Sequence, residues 1–152
     1  MPRDWITIRV DLLSGHGEDL EPSPGRIMLV GPRHTFADLS QAIDDAFARW
    51  DQSHLHVFGL GDGRDIGPPD PDGELDFEDE ASVVVASAVK PGEVFRYEFD
   101  FGDSWEHRCT VQDAGVDPRE AYGETPRRPV PIWGWGRIPD QYGRTEPGLP
   151  DA

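Results

Sequence analysis

Residues 5–13, WITIRVDLL, alternate strictly: Ile6, Ile8, Val10 and Leu12 share one parity, and Trp5, Thr7, Arg9 and Asp11 the other. A period of two belongs to a strand with one buried face. The turn-rich connection SGHGEDLEPSPG leads to RIMLV at 26–30, which reads as a second strand, antiparallel to the first. Then the period changes. Phe36, Leu39, Ile43, Ala46, Phe47 and Trp50 recur at helical spacing, while Asp38, Gln41, Asp44, Asp45 and Arg49 take the other face, predicting an amphipathic helix over 36–50. Thr35 and Asp38 have capping-box spacing at its start. HLHVFGL (54–60) predicts a strand with His54, His56 and Phe58 on one side. The acid-rich stretch 61–80 reads as a solvated loop or lid, and the valines of SVVVASA (82–88) favour strand.

Residues 94–101 and 105–112 read as the two arms of a hairpin. Phe95, Tyr97, Phe99 and Phe101 are odd, as are Trp105, His107, Cys109 and Val111. Opposed residues share a face, so the apolar sets meet only if odd pairs with odd. A three-residue turn, Gly102 to Ser104, pairs Phe101 with Trp105, Phe99 with His107, Tyr97 with Cys109 and Phe95 with Val111. A five-residue turn is read as keeping that pairing. On the other face Glu98 meets Arg108, and Asp100 meets Glu106.

The sum is an α+β domain: a mixed or antiparallel sheet, a β-grasp-like start, one main helix and an irregular Pro/Gly-rich strap. The chain of 152 residues is the size of one domain. Residues 1–113 are expected to form the core. Residues 114–152 are expected to pack on it, held by Trp133, Trp135, Ile138 and Tyr142. Thirty acidic and fourteen basic residues leave a net charge of −16, which argues against nucleic-acid binding. Cys109 is the single cysteine, so no intramolecular disulfide forms and a reducing cytoplasm is the expected compartment. The start lacks a signal-peptide pattern, and no apolar run has the length of a membrane span.

The segment TFADLSQAIDDAFARWDQSHLHVFGL, followed by FRYEFDFGDSWEHRCTV, resembles the plasmid pRiA4b ORF-3-like family. The match lies in the helix ending in Trp, the HLxxF strand and the YxYDFGDSWxH hairpin. His54, Leu55, Phe58, Tyr97, Asp100, Phe101, Gly102, Asp103, Trp105 and His107 fit position by position over a likeness spanning roughly 5–113. Where the family often continues with Pro-Pro-Glu-Asp-x-Gly-Gly, this chain has PIWGWGRIPDQYGR. The family carries no established activity, and some members sit on plasmids or mobile elements, which implies a DNA-associated accessory role as one alternative.

The residues themselves offer three candidate sites. Asp100, Asp103 and His107 could serve a hydrolase-like or metal-dependent enzyme, with Asp100 against Glu106 raising one carboxyl pKa. Against this, Asp103 suits a local turn bond and His107 a neutral core position. His54, His56 and His107 have the residue types of an open three-histidine zinc site, if their strands adjoin. Trp133, Trp135 and Arg137 could form a binding surface. The spacing of Asp70, Asp72 and Asp76 departs from a calcium-loop pattern. The expected function is a small non-enzymatic binding or interaction module without a cofactor, its partner a protein or small molecule.

Overall fold

The computed structural model describes residues 4–70 and 72–142. Among these, nine strands form one sheet. In chain order the strands are β1 (Ile6–Gly15), β2 (Glu18–Asp19), β3 (Gly25–Val30), β4 (His56–Gly59), β5 (Asp65–Gly67), β6 (Glu78–Asp79), β7 (Val94–Phe99), β8 (Trp105–Val111) and β9 (Val130–Trp135). Their spatial order is β6-β5-β4-β7-β8-β1-β3-β9, with β2 paired to β1. Every pairing is antiparallel except β5 with β6. Three short helices, α1 (Phe36–Ala46), α2 (Val85–Ala88) and α3 (Pro118–Tyr122), complete an α+β domain.

The apolar parity of β1 faces the core as the sequence implies, but the strand is not half-buried: Trp5, Thr7 and Asp11 of the other parity are buried too, and only Arg9 is exposed. Ile6, Ile8, Val10 and Leu12 are buried, continuous with Met28 and Val30 on β3 and Cys109 and Val111 on β8. Helix α1 lays Phe36, Leu39 and Ile43 onto this face, where Phe36 meets Phe58 and Phe95 at ring separations of 5.0 and 6.0 Å. Its start carries the full capping box: Thr35 Oγ1 accepts from Asp38 N, and Asp38 Oδ2 accepts from Thr35 N at 2.9 Å.

Four expectations are corrected. The helix ends at Ala46, four residues early, because Ala48 takes a left-handed φ of 56°. This break overrides the helical period, so Arg49 turns into the core and Trp50 out to 49 % exposure. The valine run is not a strand: Val85–Ala88 is a helical turn, and only Val84 bridges to Thr35. The acid-rich stretch contributes β5 and β6, with Ile66 buried as their apolar anchor. The tail is not irregular throughout either, since Val130–Trp135 add edge strand β9 against β3.

The hairpin parity holds, but its register moves by two. The turn spans five residues, 100–104, so Phe99 opposes Trp105, Tyr97 opposes His107 and Phe95 opposes Cys109. A five-residue turn therefore preserves the odd-with-odd rule without preserving the pairs. On the outer face Glu98 meets Glu106 and Arg96 meets Arg108. These like charges are relieved diagonally by Arg96 to Glu106 at 3.7 Å, and directly across β1 by Arg108 to its opposite residue Asp11 at 3.7 Å. The carboxylate pair expected for Asp100 thus exists as Glu98 and Glu106, and burial followed by the Glu98 charge pushes the Glu106 pKa up.

Gly15, just past a bulge in β1, lets the Trp105 ring lie flat on the backbone. A Cβ there would stand 2.0 Å from the indole. Gly15→Ala is expected to cost about 1–3 kcal/mol by forcing buried Trp105 off its seat; a urea melt matching wild type would contradict this.

Candidate functional site

His107 is fully buried on the inner face, T-shaped against Phe47 and 5.1 Å from the Tyr97 ring. Its Nε2 lies 2.9 Å from Arg49 Nη2, and its Nδ1 2.9 Å from the Tyr97 carbonyl. A guanidinium only donates, so Nε2 accepts and the single proton sits on Nδ1, donating to the carbonyl. The ring is neutral, its pKa held well below the usual value by burial and then by the Arg49 charge. Behind it Tyr97 donates its hydroxyl to Asp44 Oδ1 at 2.9 Å. Burial, opposed in part by Arg49, raises the Asp44 pKa to about 7. This polar knot joins the end of α1 to the hairpin, inside the core.

The three histidines are not brought together. His107 serves Arg49; His56 Nε2 contacts Glu80 Oε1 at 2.7 Å, where the Ser40 hydroxyl also donates; His54 faces a third set of partners. Among the described residues no group of three or more His, Cys, Asp and Glu is placed to hold a metal ion. The expected zinc triad fails because His107 points into the aromatic core. Cys109 is buried and its thiol is pushed up by burial. Of the candidate surface residues, Trp135 covers the sheet: it lies over Gly25, under the Arg9 guanidinium at 4.6 Å, and donates Nε1 to the Ser23 carbonyl. Trp133 stands 68 % exposed on the same strand, and Arg137 is exposed beyond it.

At one end of the sheet the chain gathers a different set. Asp100 opens the hairpin turn at φ 62°, a conformation Asp tolerates because its side chain binds the turn: Oδ1 accepts from Gly102 N at 3.1 Å and Asp103 N at 3.4 Å. Its own N–H donates to the Leu55 carbonyl at 2.8 Å, which brings His54 Nε2 within 3.6 Å of Asp100 Oδ2 and 3.5 Å of Asp51 Oδ2. The Tyr142 hydroxyl donates to Asp51 Oδ2 at 2.8 Å and makes a short contact with His54 Nε2. With that proton committed to Asp51, His54 Nε2 is the donor to the phenol oxygen.

Hydrogen bonds from Ser53 and Tyr142 hold the Asp51 pKa down to about 2. Partial burial and then the Asp51 carboxylate push the phenol of Tyr142 up to about 12. Around this cluster Trp50, Leu55 at 48 % and Phe101 at 38 % are exposed, with Trp50 T-shaped against Tyr142 at 5.0 Å. Beside the turn, Ser14, Gly15, Gly17, Glu18, Asp19, Asp103 and Ser104 line a cleft of about 220 Å³, its rim tied by His16 Nδ1 to Asp103 Oδ1 at 3.2 Å. Phe101 is therefore a turn residue and not part of the core face, and Asp103 faces the cleft.

The two segments that meet here, HLHVF and DFGDSW, are those that carry the family signature. The sequence model of the family described as Plasmid pRiA4b ORF-3-like protein matches residues 8–139. The chain belongs to this family. No curated protein matches it. Among solved structures, a protein of unknown function from Methanosarcina mazei Go1, MM3350, has the same fold. It is 20 % identical with a TM-score of 0.66, over 86 % of this chain and 68 % of that one.

For this pRiA4b ORF-3-like chain, the residues singled out in sequence thus divide. His107 is in the core, Asp100 holds the turn and touches His54, and Asp103 lines the cleft. Sequence reasoning missed Arg49 and Asp44 as core residues and Asp51 as a site residue. Tyr142 was read only as an anchor of the tail. An Arg next to a helix-ending Trp carries no signal of burial, because a single left-handed residue decides which of the two turns inward.

Proposed function

We propose that the protein is a binding module whose ligand surface is the acidic, aromatic end of the sheet, and that its partner is a cationic segment of another protein. One observation carries this. Half-buried Asp51 has no Lys or Arg partner among the described residues, although it stands at the end of the sheet that exposes Trp50, Leu55 and Phe101 and holds the acidic cleft of Glu18, Asp19 and Asp103. Carboxylates next to aromatic faces suit Lys or Arg side chains, which gain both charge pairing and a cation–π contact. The net charge of −16 adds long-range attraction for such a partner. The signature residues support a binder over an enzyme: Asp100 and His107, the groups expected to do chemistry together, are spent respectively on the turn and on a sealed core contact. No described helix is long and apolar enough to cross a membrane.

The test separates this surface from the bulk charge. A fluorescent Lys/Arg-rich peptide should bind the wild type at low salt, and Trp50→Ala with Asp51→Asn should weaken it about tenfold, by loss of one ring and one charge. Neutralising two acids elsewhere, Glu74→Gln with Asp76→Asn, should weaken it far less. Equal losses from the two double variants would mean that only net charge attracts the peptide, and the assigned surface would be wrong.

A further inference from the structure

Asp51, on which the proposed surface depends, is already engaged from within the chain. Its Oδ1 accepts from Ser53 N at 3.2 Å and Ser53 Oγ at 2.6 Å, which fixes the carboxylate, and its Oδ2 accepts from the Tyr142 hydroxyl at 2.8 Å. The residues before Tyr142 grip the same loop. Gln141, 2 % exposed, pairs its side-chain amide with the Asp51 main chain: Oε1 accepts from Asp51 N at 3.0 Å, and Nε2 donates to the Asp51 carbonyl at 2.6 Å. Asp140 Oδ1 accepts from Trp50 Nε1 at 3.3 Å, and the Tyr142 ring stands T-shaped against Trp50 and His54. Residues 140–142 therefore cover both kinds of group that a cationic segment would use, the carboxylate and the aromatic ring.

We infer that residues 140–142 are an internal competitor for this surface, a strap that a cationic partner displaces in order to bind; the inference rests on the reading of the surface given above. The contacts suit displacement. Toward Asp51 the strap offers only neutral donors, a phenol and an amide, whereas an Arg or Lys side chain brings the same hydrogen bonds together with a positive charge. Residues 136–142 contribute no strand or helix, so lifting the strap breaks no sheet ladder. The surface beneath is formed in advance, because Ser53 holds Asp51 from its other oxygen and the hairpin turn holds Asp100. The apparent affinity for a partner is then lowered by the fraction of molecules whose strap is closed. Any change that loosens the strap and leaves Trp50, Asp51 and Asp100 in place raises it.

Titration with the fluorescent Lys/Arg-rich peptide at low salt tests this. Tyr142→Phe keeps the ring on Trp50 but removes the donor to Asp51, and Gln141→Ala removes the grip on the main chain. Each is expected to bind the peptide more tightly than wild type, and the double variant about tenfold more tightly. Chymotrypsin, which cuts after aromatic residues and spares a Lys/Arg-rich peptide, supplies a second readout on the wild type alone, so the test survives a variant that does not fold. Cleavage after Tyr142, followed by mass spectrometry, should be faster when the peptide is saturating than in the free protein. Equal affinities in wild type and double variant, or cleavage no faster with peptide bound, would mean that the peptide binds over a closed strap; the strap assignment then falls and the surface stands. Binding by neither wild type nor variants overturns the surface itself, and the strap with it.

Discussion

His107→Ala is expected to destabilise the domain by about 3–5 kcal/mol. The ring is fully buried between Phe47 and Tyr97, so truncation leaves a cavity that strands β7 and β8 cannot close. The same change deprives Arg49 Nη2 of its acceptor, and a charged donor left unpaired in the core adds to the loss. Urea melts would register this as a lower midpoint at unchanged m. Asp103→Ala gives the contrast. Its side chain is partly exposed and contacts His16 at the cleft, so a change within about 1 kcal/mol is expected. If His107→Ala were as mild as Asp103→Ala, the histidine would not be holding the core together.

Stability should depend on pH through two buried groups with opposite signs. Asp44 keeps its proton in the folded state up to about 7, against 3.8 for an ordinary carboxyl. Over that window the folded chain binds more protons, so this contribution is fully present below about 3.8 and is lost as pH rises through about 7. A shift of that size corresponds to on the order of 4 kcal/mol. His107 acts in reverse. Its folded pKa lies well below 6.5, so the unfolded chain takes up the proton first, and stability present above 6.5 is lost as pH falls. The two slopes oppose each other between about pH 4 and 6.5, and only the Asp44 slope continues toward 7. Wild-type stability should therefore change little from about pH 5 to 6.5 and decline above it. Asp44→Asn should climb over the lower range and then stay level. Urea midpoints taken across that range decide the matter; an Asp44→Asn profile parallel to wild type would show that this carboxyl does not carry the upper slope.

What was legible in the sequence follows what each pattern encodes. The period of two in WITIRVDLL and the Thr35/Asp38 spacing encode local geometry; the strand and the cap appear as read, while the burial of Thr7 and Asp11 on the outer parity depends on distant chain and was not legible. Hairpin parity was legible because burial decides it, but the pairs were not. Turn length depends on Asp100 accepting a left-handed conformation, which the alternation of Phe residues does not record. The family resemblance was legible from the HLxxF and DFGDSW segments, although their meeting at His54 and Asp100 depends on β4 pairing with β7. Strand β9 was hidden for a related reason: its Pro131, Gly134 and exposed Trp133 suit an edge strand, which shows no clean alternation. The role of Tyr142 rests on contacts with residues about ninety positions earlier, beyond the reach of any local pattern.

The position of β1 also bears on how the chain is made. Its long neighbours in the sheet are β3, which follows after the short β2, and β8, which ends at Val111. The ribosome adds about 5–20 residues per second. Ile8, Val10 and Leu12 therefore wait several seconds after leaving the exit tunnel before the strand that flanks them on the other side has been synthesised. During that interval the nascent chain presents an apolar strand with one open edge, a surface that can pair with other chains. The order of synthesis thus opens a window for misassembly that the finished sheet, with β8 in place, has closed.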